Sequence, residues 1–448
     1  MPPEGSLDQR VAATSRPTRV RWLVLALLCL VAFVGYVLRT NLSIAAPAML
    51  KDLGLSELQL GLVFSANAWA YAMFQFPGGL LGRAFGARRA MALAALSWGV
   101  VTLLTGLVPG LPLLSVMRSL VLLVTLRFLL GAVQAPLFPI TGASIGTWFP
   151  VSQWGAANGV DSAALTVGAA AVGPGVAWLV ARVGWRQSFW VVAPLGFVMA
   201  ALWWRGYRDD PAEHPAVNPA EVALIREGRP LVQPASATRG WVTVLRRPAM
   251  LALTGSYFCM NYVFYLFFNW FYYYLVEIRG FSAQDGGWFT GAQWLVGGAT
   301  AVLGGWLSDR CTRRWGPRLG HRLVIMGGLV LCGLLLVLGA RVTEPLWSVA
   351  LLSLSFGAAQ LTDAPFWSAA TRMGGNEVAA ATGLMNTGGN LVGAFGGVLV
   401  PLIAARLGWD VAIMTGGLCA GLAALLWLWI RVEPPEAAAA VAPAGGGS

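Results

Sequence analysis

Charged side chains are scarce in this chain. Asp, Glu, Lys and Arg make up 11% of its 448 residues, whereas an ordinary soluble domain carries about 25%. Hydrophobic residues reach 57%, and this balance excludes an ordinary soluble protein. Both histidines fall in polar connections, so neither is a convincing proton relay. The five cysteines are scattered and odd in number, which predicts neither a disulfide framework nor a metal site.

Long apolar stretches are abundant instead. No cleavable signal peptide is expected, because a polar start is followed by a full-length span. Arginines crowd alternate connections, and the positive-inside rule places these and both termini in the cytoplasm. The net charge of +11 is therefore a topology signal rather than a sign of nucleic-acid binding. Twelve stretches reach the roughly 20 residues that a bilayer requires, at 22–48, 58–81, 90–108, 113–140, 154–181, 187–205, 249–276, 286–307, 322–341, 345–370, 378–405 and 410–430.

The chain divides into two related halves. The segment starting at Gly159 aligns without gaps with that starting at Gly383, and the Gly78 segment resembles the Gly304 segment at nearly the same offset. Duplication of a six-helix unit produces this pattern. We predict an all-α polytopic membrane protein with twelve transmembrane helices in two pseudo-symmetric six-helix bundles. We expect a cytoplasmic tail at 1–21, an N-terminal bundle at 22–205 and a cytoplasmic central loop at 206–248. A C-terminal bundle at 249–431 and a cytoplasmic disordered tail at 432–448 follow.

Two arginines each lie alone in an apolar stretch. Arg39 is the only charged side chain over 22–50, and Arg127 is the only one over 119–160. A charge near the middle of a membrane helix costs about 2.5–3.5 kcal/mol on insertion scales, so it normally faces water or an anionic partner. A guanidinium binds a carboxylate through two parallel hydrogen bonds. The pattern predicts a carrier of small organic anions; pairing with another helix is the structural alternative.

Several motifs resemble those of a known transporter family. They lie at 36–47, 65–79, 127–139 and 184–189, with Trp-Phe-Pro at 148–150 and Ala-Asn-Gly at 157–159. They are similar to the major facilitator superfamily, and within it to the anion:cation symporter branch of hexuronate, galactonate, glucarate and phthalate carriers. The resemblance implies that superfamily's fold, alternating access and a monomer in the bacterial inner membrane. The lipid bilayer and a small organic anion are the expected partners, and no cofactor is expected.

The departures from the family pattern concern its acids. Leu38 and Gln134 stand where the branch often has acids that the resemblance associates with proton coupling. Arg83 stands where a loop motif should have an acid, while the second copy keeps Asp309 and Arg310. We assign these three loop-motif residues to gating. The resemblance therefore implies anion binding without implying the family's proton mechanism.

The predicted binding site adds polar side chains that share helix faces. Residues three or four apart lie on one face of a helix, and such hydroxyl and amide groups suit a polyhydroxylated substrate. Hydrogen bonding between helices, or aromatic packing, is the alternative. The predicted substrate-binding residues are Arg39, Arg127, Tyr36, Tyr71, Gln75, Gln134, Asn261, Tyr265, Asn386 and Asn390.

Two acids lie inside apolar stretches. Asp363 is followed by Pro365, which loosens a helix, and Asp161 follows Gly159. Membrane acids are functional candidates by default, so both are candidates for carrying a coupled proton. The alternatives are pairing with a membrane arginine for Asp363 and an inner-gate contact for Asp161.

These observations favour a secondary active or facilitated transporter of a sugar acid or related carboxylate. An exporter of drugs or metabolites with the same fold is one alternative, and a non-transporting sensor is another. An enzyme is disfavoured, because chemistry requires clustered nucleophiles, metal ligands or paired carboxylates, and the isolated acids of this chain supply none.

Overall fold

The computed structural model describes residues 16–108, 115–227 and 244–432, and these contain helices without any β-strand. Most of the two predicted tails, and residues 228–243 of the central loop, lie outside that description. The helices are α1 (Val20–Leu53), α2 (Glu57–Phe85), α3 (Ala87–Gly106), α4 (Val116–Gln134), α5 (Leu137–Trp148), α6 (Trp154–Val183), α7 (Trp185–Gly206), α8 (Pro219–Arg226), α9 (Pro248–Tyr273), α10 (Ala283–Arg341), α11 (Pro345–Gln360), α12 (Asp363–Gly374), α13 (Val378–Leu407) and α14 (Trp409–Leu426).

These helices form twelve spans, as predicted. In the described residues, ten helical stretches are long and apolar enough to cross a membrane. One of them, α10, has 59 residues and is interrupted at Gly316, whose φ of 80° is not helical. At 1.5 Å per residue an unbroken helix of that length would measure roughly 90 Å, so α10 supplies two spans. The remaining span is α2, with 29 residues.

Two spans are broken at corresponding places in the two halves. The helices α4 and α5 share one span and meet at Pro136, while α11 and α12 share another and meet at Leu361. Gly78 of α2 faces the first break, where an added methyl group would lie 3.0 Å from the Pro136 Cα atom. Gly304 of α10 faces the second break, where an added methyl group would lie 3.0 Å from the Leu361 Cα atom and still closer to the Leu361 carbonyl group. The repeated glycines therefore let each break meet a neighbouring helix, because they have no side chain.

The bundles touch through two glycine pairs that the internal repeat relates to each other. Gly61 of α2 faces Gly397 of α13, and Gly287 of α10 faces Gly173 of α6. A methyl group on Gly287 would lie 2.6 Å from the Gly173 carbonyl oxygen, and one on Gly397 would lie 2.9 Å from that of Gly61. Backbone therefore meets backbone at both contacts, as small residues allow in membranes.

Polar contacts join the bundles at the same end of the molecule as the two glycine pairs. This end lies opposite the central segment. Lys51 at the end of α1 pairs with Glu277 beyond α9 at 2.9 Å. The Tyr273 hydroxyl donates to Glu57 at 2.6 Å. In the described residues, the hydrogen bonds between bundles lie between the level of Arg39 and this end. We call this the closed end.

The first residues of α1 are anchored to the central segment. Glu221 of α8 is fully buried and accepts hydrogen bonds from the backbone N–H groups of Val20 and Arg21, at 2.9 and 3.1 Å. The Arg21 side chain and the Thr18 hydroxyl also donate to this carboxylate. No side chain of its own caps α1, so Glu221 places a negative charge at the positive end of that helix.

Candidate functional site

Arg39 lies halfway along α1, partly exposed between the bundles and surrounded by aromatic rings. Its Cζ atom is 4.5 Å from the ring centroid of Tyr71, 5.3 Å from that of Phe268 and 5.9 Å from that of Tyr36. Such rings attract a cation through their electron-rich faces. Among the described residues, no ion pair includes Arg39. The guanidinium is therefore held in place without being neutralised.

Arg39 also begins a polar chain that crosses from one bundle to the other. Its Nη2 atom donates to the Tyr265 hydroxyl at 3.3 Å, and that hydroxyl donates to Asn390 Oδ1 at 2.9 Å. The Asn390 amide in turn donates to Asn386 Oδ1 at 3.0 Å. Meanwhile Arg39 Nε is buried without a hydrogen-bond partner. One edge of the guanidinium thus keeps an unused donor, which a bound anion could satisfy.

A second set of polar contacts, in the C-terminal bundle, includes an acid. The Tyr257 hydroxyl donates to Asp363 Oδ1 at 3.0 Å, and the Asn261 amide donates to the Tyr257 carbonyl at 3.0 Å. Sequence analysis did not select Tyr257. Its spacing of four residues from Asn261, continuing to Tyr265, was the available signal, because these three positions lie on one face of α9.

Aromatic residues that sequence analysis also missed form the wall beside Arg39. Phe264 and Phe268 stack at 5.7 Å between ring centroids, and Trp294 meets Phe268 at 6.0 Å and Tyr36 at 6.1 Å. Apolar residues are ordinary in a membrane helix, so composition gave no signal for them. Only the four-residue spacing of the two phenylalanines placed them on one face.

Two predicted binding residues lie away from this group. Arg127 is 2% exposed, lies 5.5 Å from the Phe189 ring and has an unpaired Nε. Gln134 is also 2% exposed, and its amide donates to the Gly35 carbonyl at 3.1 Å. Both side chains therefore lie inside the N-terminal bundle. Gln75, 9% exposed, lies one turn beyond Tyr71 on the same face of α2.

The structure therefore groups six of the ten predicted binding residues directly. Asn261 joins them through α9, where it lies one turn before Tyr265. The six are Arg39, Tyr36, Tyr71, Tyr265, Asn390 and Asn386.

The residues assigned to gating and proton coupling lie in different places. Asp309 and Arg310 are exposed on α10, and the Arg83 side chain lies outside the described part of the chain. Asp161 is 7% exposed and lies within electrostatic range of Cys29 on α1. His321 is not in a connection, as the sequence suggested; it is buried in α10 and contacts Ser368 at 3.1 Å.

Known proteins of similar sequence are transporters of organic anions. Residues 28–373 and 312–447 match the family described as Major Facilitator Superfamily. A "Probable sulfoacetate transporter" of Cupriavidus necator is 33% identical, covering 93% of this chain and 96% of that protein. A "Probable galactarate/D-glucarate transporter" of Bacillus subtilis is 32% identical and covers 85% of each. A D-galactonate transporter of Escherichia coli is 29% identical, covering 88% and 90%.

A solved structure has the same fold. It is a bacterial homolog to the human lysosomal transporter Spinster, in an inward-facing and unoccupied conformation. Its TM-score is 0.74 at 16% identity, and the match covers 92% of this chain and 98% of that one. The likeness confirms the arrangement of helices predicted from the repeat.

Proposed function

This chain belongs to the Major Facilitator Superfamily, and we propose that it carries a sugar acid or related small carboxylate across the bacterial inner membrane by alternating access. Arg39 binds the carboxylate in this proposal. The observation that carries it is a partly exposed guanidinium between the bundles, unpaired with any acid among the described residues and retaining an unused Nε donor. The similarity of the whole chain to sugar-acid and sulfoacetate transporters supports the same substrate class.

The closed end supports alternating access. Two glycine pairs bring backbone against backbone there, and the Lys51–Glu277 ion pair and the Tyr273–Glu57 hydrogen bond also bridge the bundles at this end. The repeat relates the two glycine contacts to each other, so rocking of one bundle against the other would move both. With both termini and the central segment in the cytoplasm, the closed end faces outward and the described conformation opens inward.

Uptake by reconstituted protein tests the anion site. Proteoliposomes would be assayed with labelled D-galactonate, D-glucarate and sulfoacetate. Arg39→Gln removes the charged donor, and a hydrogen bond to a charged group contributes about 1.5–3 kcal/mol, so we expect at least about tenfold weaker affinity and little uptake. Arg39→Lys keeps a charge without the planar fork, and we expect intermediate uptake.

Arg118→Gln is the matched control, because Arg118 is an exposed arginine at the start of α4. We expect wild-type uptake from it. Wild-type uptake by Arg39→Gln would contradict the assigned role, and preferential transport of lipophilic cations would favour an exporter instead.

A further inference from the structure

Asp363 is an acid near the candidate anion site, since Tyr36 lies within electrostatic range of both Asp363 and Arg39. It begins α12, directly after the break in the tenth span, and is partly exposed. Its carboxylate accepts from the Tyr257 hydroxyl at 3.0 Å. None of the five ion pairs in the described residues includes it. An ionised carboxylate in this position therefore has a neutral donor but no cation to balance its charge, which is costly inside a membrane.

The helices packed around Asp363 bring no cation to it among the described contacts. From α9 the titratable group facing it is Tyr257, and from α1 it is Tyr36, which lies within electrostatic range of both Asp363 and Arg39. The helix α10 approaches this break with Gly304 and Gly305, and α13 meets Tyr257 with Gly389. Asp363 and Arg39 are thus opposite charges on opposite bundles, and both lie within electrostatic range of Tyr36.

We propose that Asp363 binds the proton that is transported together with the anion, and that Tyr257 positions its carboxyl group. The proposal rests on the proposed function. When a proton from the aqueous phase binds Asp363, one negative charge leaves the cavity where Arg39 holds the anion. Proton and anion then strengthen each other's binding, as linkage requires. After the bundles reorient, both leave to the opposite aqueous phase and the carboxylate is regenerated, so one proton crosses with each anion.

Asp161 is the natural comparison, since it is the other acid in an apolar stretch. It lies beside Cys29, ten residues before Arg39 on α1, which is about 15 Å along the helix axis. Asp161→Asn removes an acid at about that separation from the candidate anion site and serves as the control variant.

The test measures affinity for D-galactonate, D-glucarate and sulfoacetate between pH 5 and 9, and uptake driven by a pH gradient. For wild type we expect affinity to fall up to tenfold per pH unit once Asp363 ionises, and accumulation to require the gradient. Asp363→Asn should give pH-independent affinity and retain exchange of internal for external anion, while losing gradient-driven accumulation. Asp161→Asn should behave as wild type.

Tyr257→Phe provides a second test, and its result does not depend on whether Asp363→Asn folds. It removes a hydrogen bond that favours the ionised carboxylate, so the midpoint of the pH profile should move to higher pH while coupling persists. The proposal would be overturned if Asp363→Asn still accumulated the anion when driven by a pH gradient, or if Asp161→Asn lost that accumulation instead. An unchanged midpoint of the pH profile in Tyr257→Phe would overturn it as well. Wild-type binding and transport without pH dependence would overturn it while leaving the anion carrier intact. Absence of binding by wild type to every probe would overturn the proposed function itself.

Discussion

The Tyr265 hydroxyl is shared by the two bundles, because it accepts from Arg39 and donates to Asn390. It contacts the guanidinium through one nitrogen atom and donates to the oxygen atom of the Asn390 amide, whose nitrogen donates to Asn386. A phenylalanine in its place would preserve the ring and its packing while removing one hydrogen bond from each partner. The hydroxyl is therefore separable from the rest of the site.

For Tyr265→Phe we expect anion affinity to fall roughly three- to tenfold, since a typical hydrogen bond contributes about 0.5–1.5 kcal/mol. Titration of purified protein with D-galactonate or sulfoacetate measures the effect. Tyr262→Phe is the control, because its hydroxyl pairs with Thr415 at 2.9 Å, away from Arg39. Equal losses in the two variants would indicate general damage to α9 rather than a role at the site.

Glu221 makes the stability of the α1 anchor depend on pH. Burial raises the pKa of its carboxyl, but hydrogen bonds from Thr18, Val20 and Arg21 outweigh burial and hold that pKa below its ordinary value. The unfolded chain then binds the proton more readily than the folded chain does. The stabilisation is therefore complete above the ordinary glutamate pKa of about 4.3 and is lost as pH falls through the lower folded value.

Thermal unfolding of Glu221→Gln in detergent tests this anchor. At pH 7 we expect a loss of about 1–2 kcal/mol of unfolding free energy, together with a smaller decrease in midpoint temperature on acidification than wild type shows. Glu213→Gln, an exposed glutamate before α8, should resemble wild type. An unchanged midpoint for Glu221→Gln at pH 7 would show that the anchor does not contribute.

Contacts between side chains on the same helix could be predicted from the sequence better than contacts between side chains on different helices. Spacing alone placed Tyr36 beside Arg39 and Asn386 beside Asn390. It could not place Tyr265 against Arg39, because that contact depends on how the bundles approach each other. It likewise could not foresee that Gln134 binds the Gly35 carbonyl, since a polar side chain in an apolar stretch can face a cavity or a neighbouring helix.

At the scale of whole helices, the glycine pairs decide how closely the bundles approach. Gly287→Ala would place a methyl group 2.6 Å from the Gly173 carbonyl, well inside van der Waals contact, so α6 and α10 must separate. The pseudo-symmetric contact between Gly61 and Gly397 and the polar contacts of the closed end would then hold that end together.

We expect Gly287→Ala to shift the population towards opening at the closed end. Spin labels at positions 51 and 277, which lie 2.9 Å apart between charged atoms, should show a longer mean distance in this variant. Gly142→Ala is the control, because no atom lies within 4 Å of an added methyl group there. An unchanged distance distribution in Gly287→Ala would mean that the glycine contact does not limit closure.

Across the whole molecule, the repeat predicted more than the number of helices. Its offsets relate Gly78 to Gly304, at the two helix breaks, and also relate the Gly61–Gly397 contact to the Gly287–Gly173 contact. Duplication therefore accounts for both the shape of each bundle and the interface between them. The breaks were not predicted, because Pro136 and Pro365 are as compatible with a kink inside a continuous helix as with a break between two helices.

The topology decides which side of the membrane the closed end faces, and labelling can establish it. Arginine-rich connections predict that both termini and the central segment lie in the cytoplasm, so a cysteine replacing Glu213 should react with a membrane-impermeant reagent only in inverted vesicles. One replacing Gly54, in the turn between α1 and α2 at the closed end, should react only in right-side-out vesicles. A background lacking the five native cysteines keeps the signals specific. The reversed pattern would place the closed end in the cytoplasm and make the described conformation outward-facing.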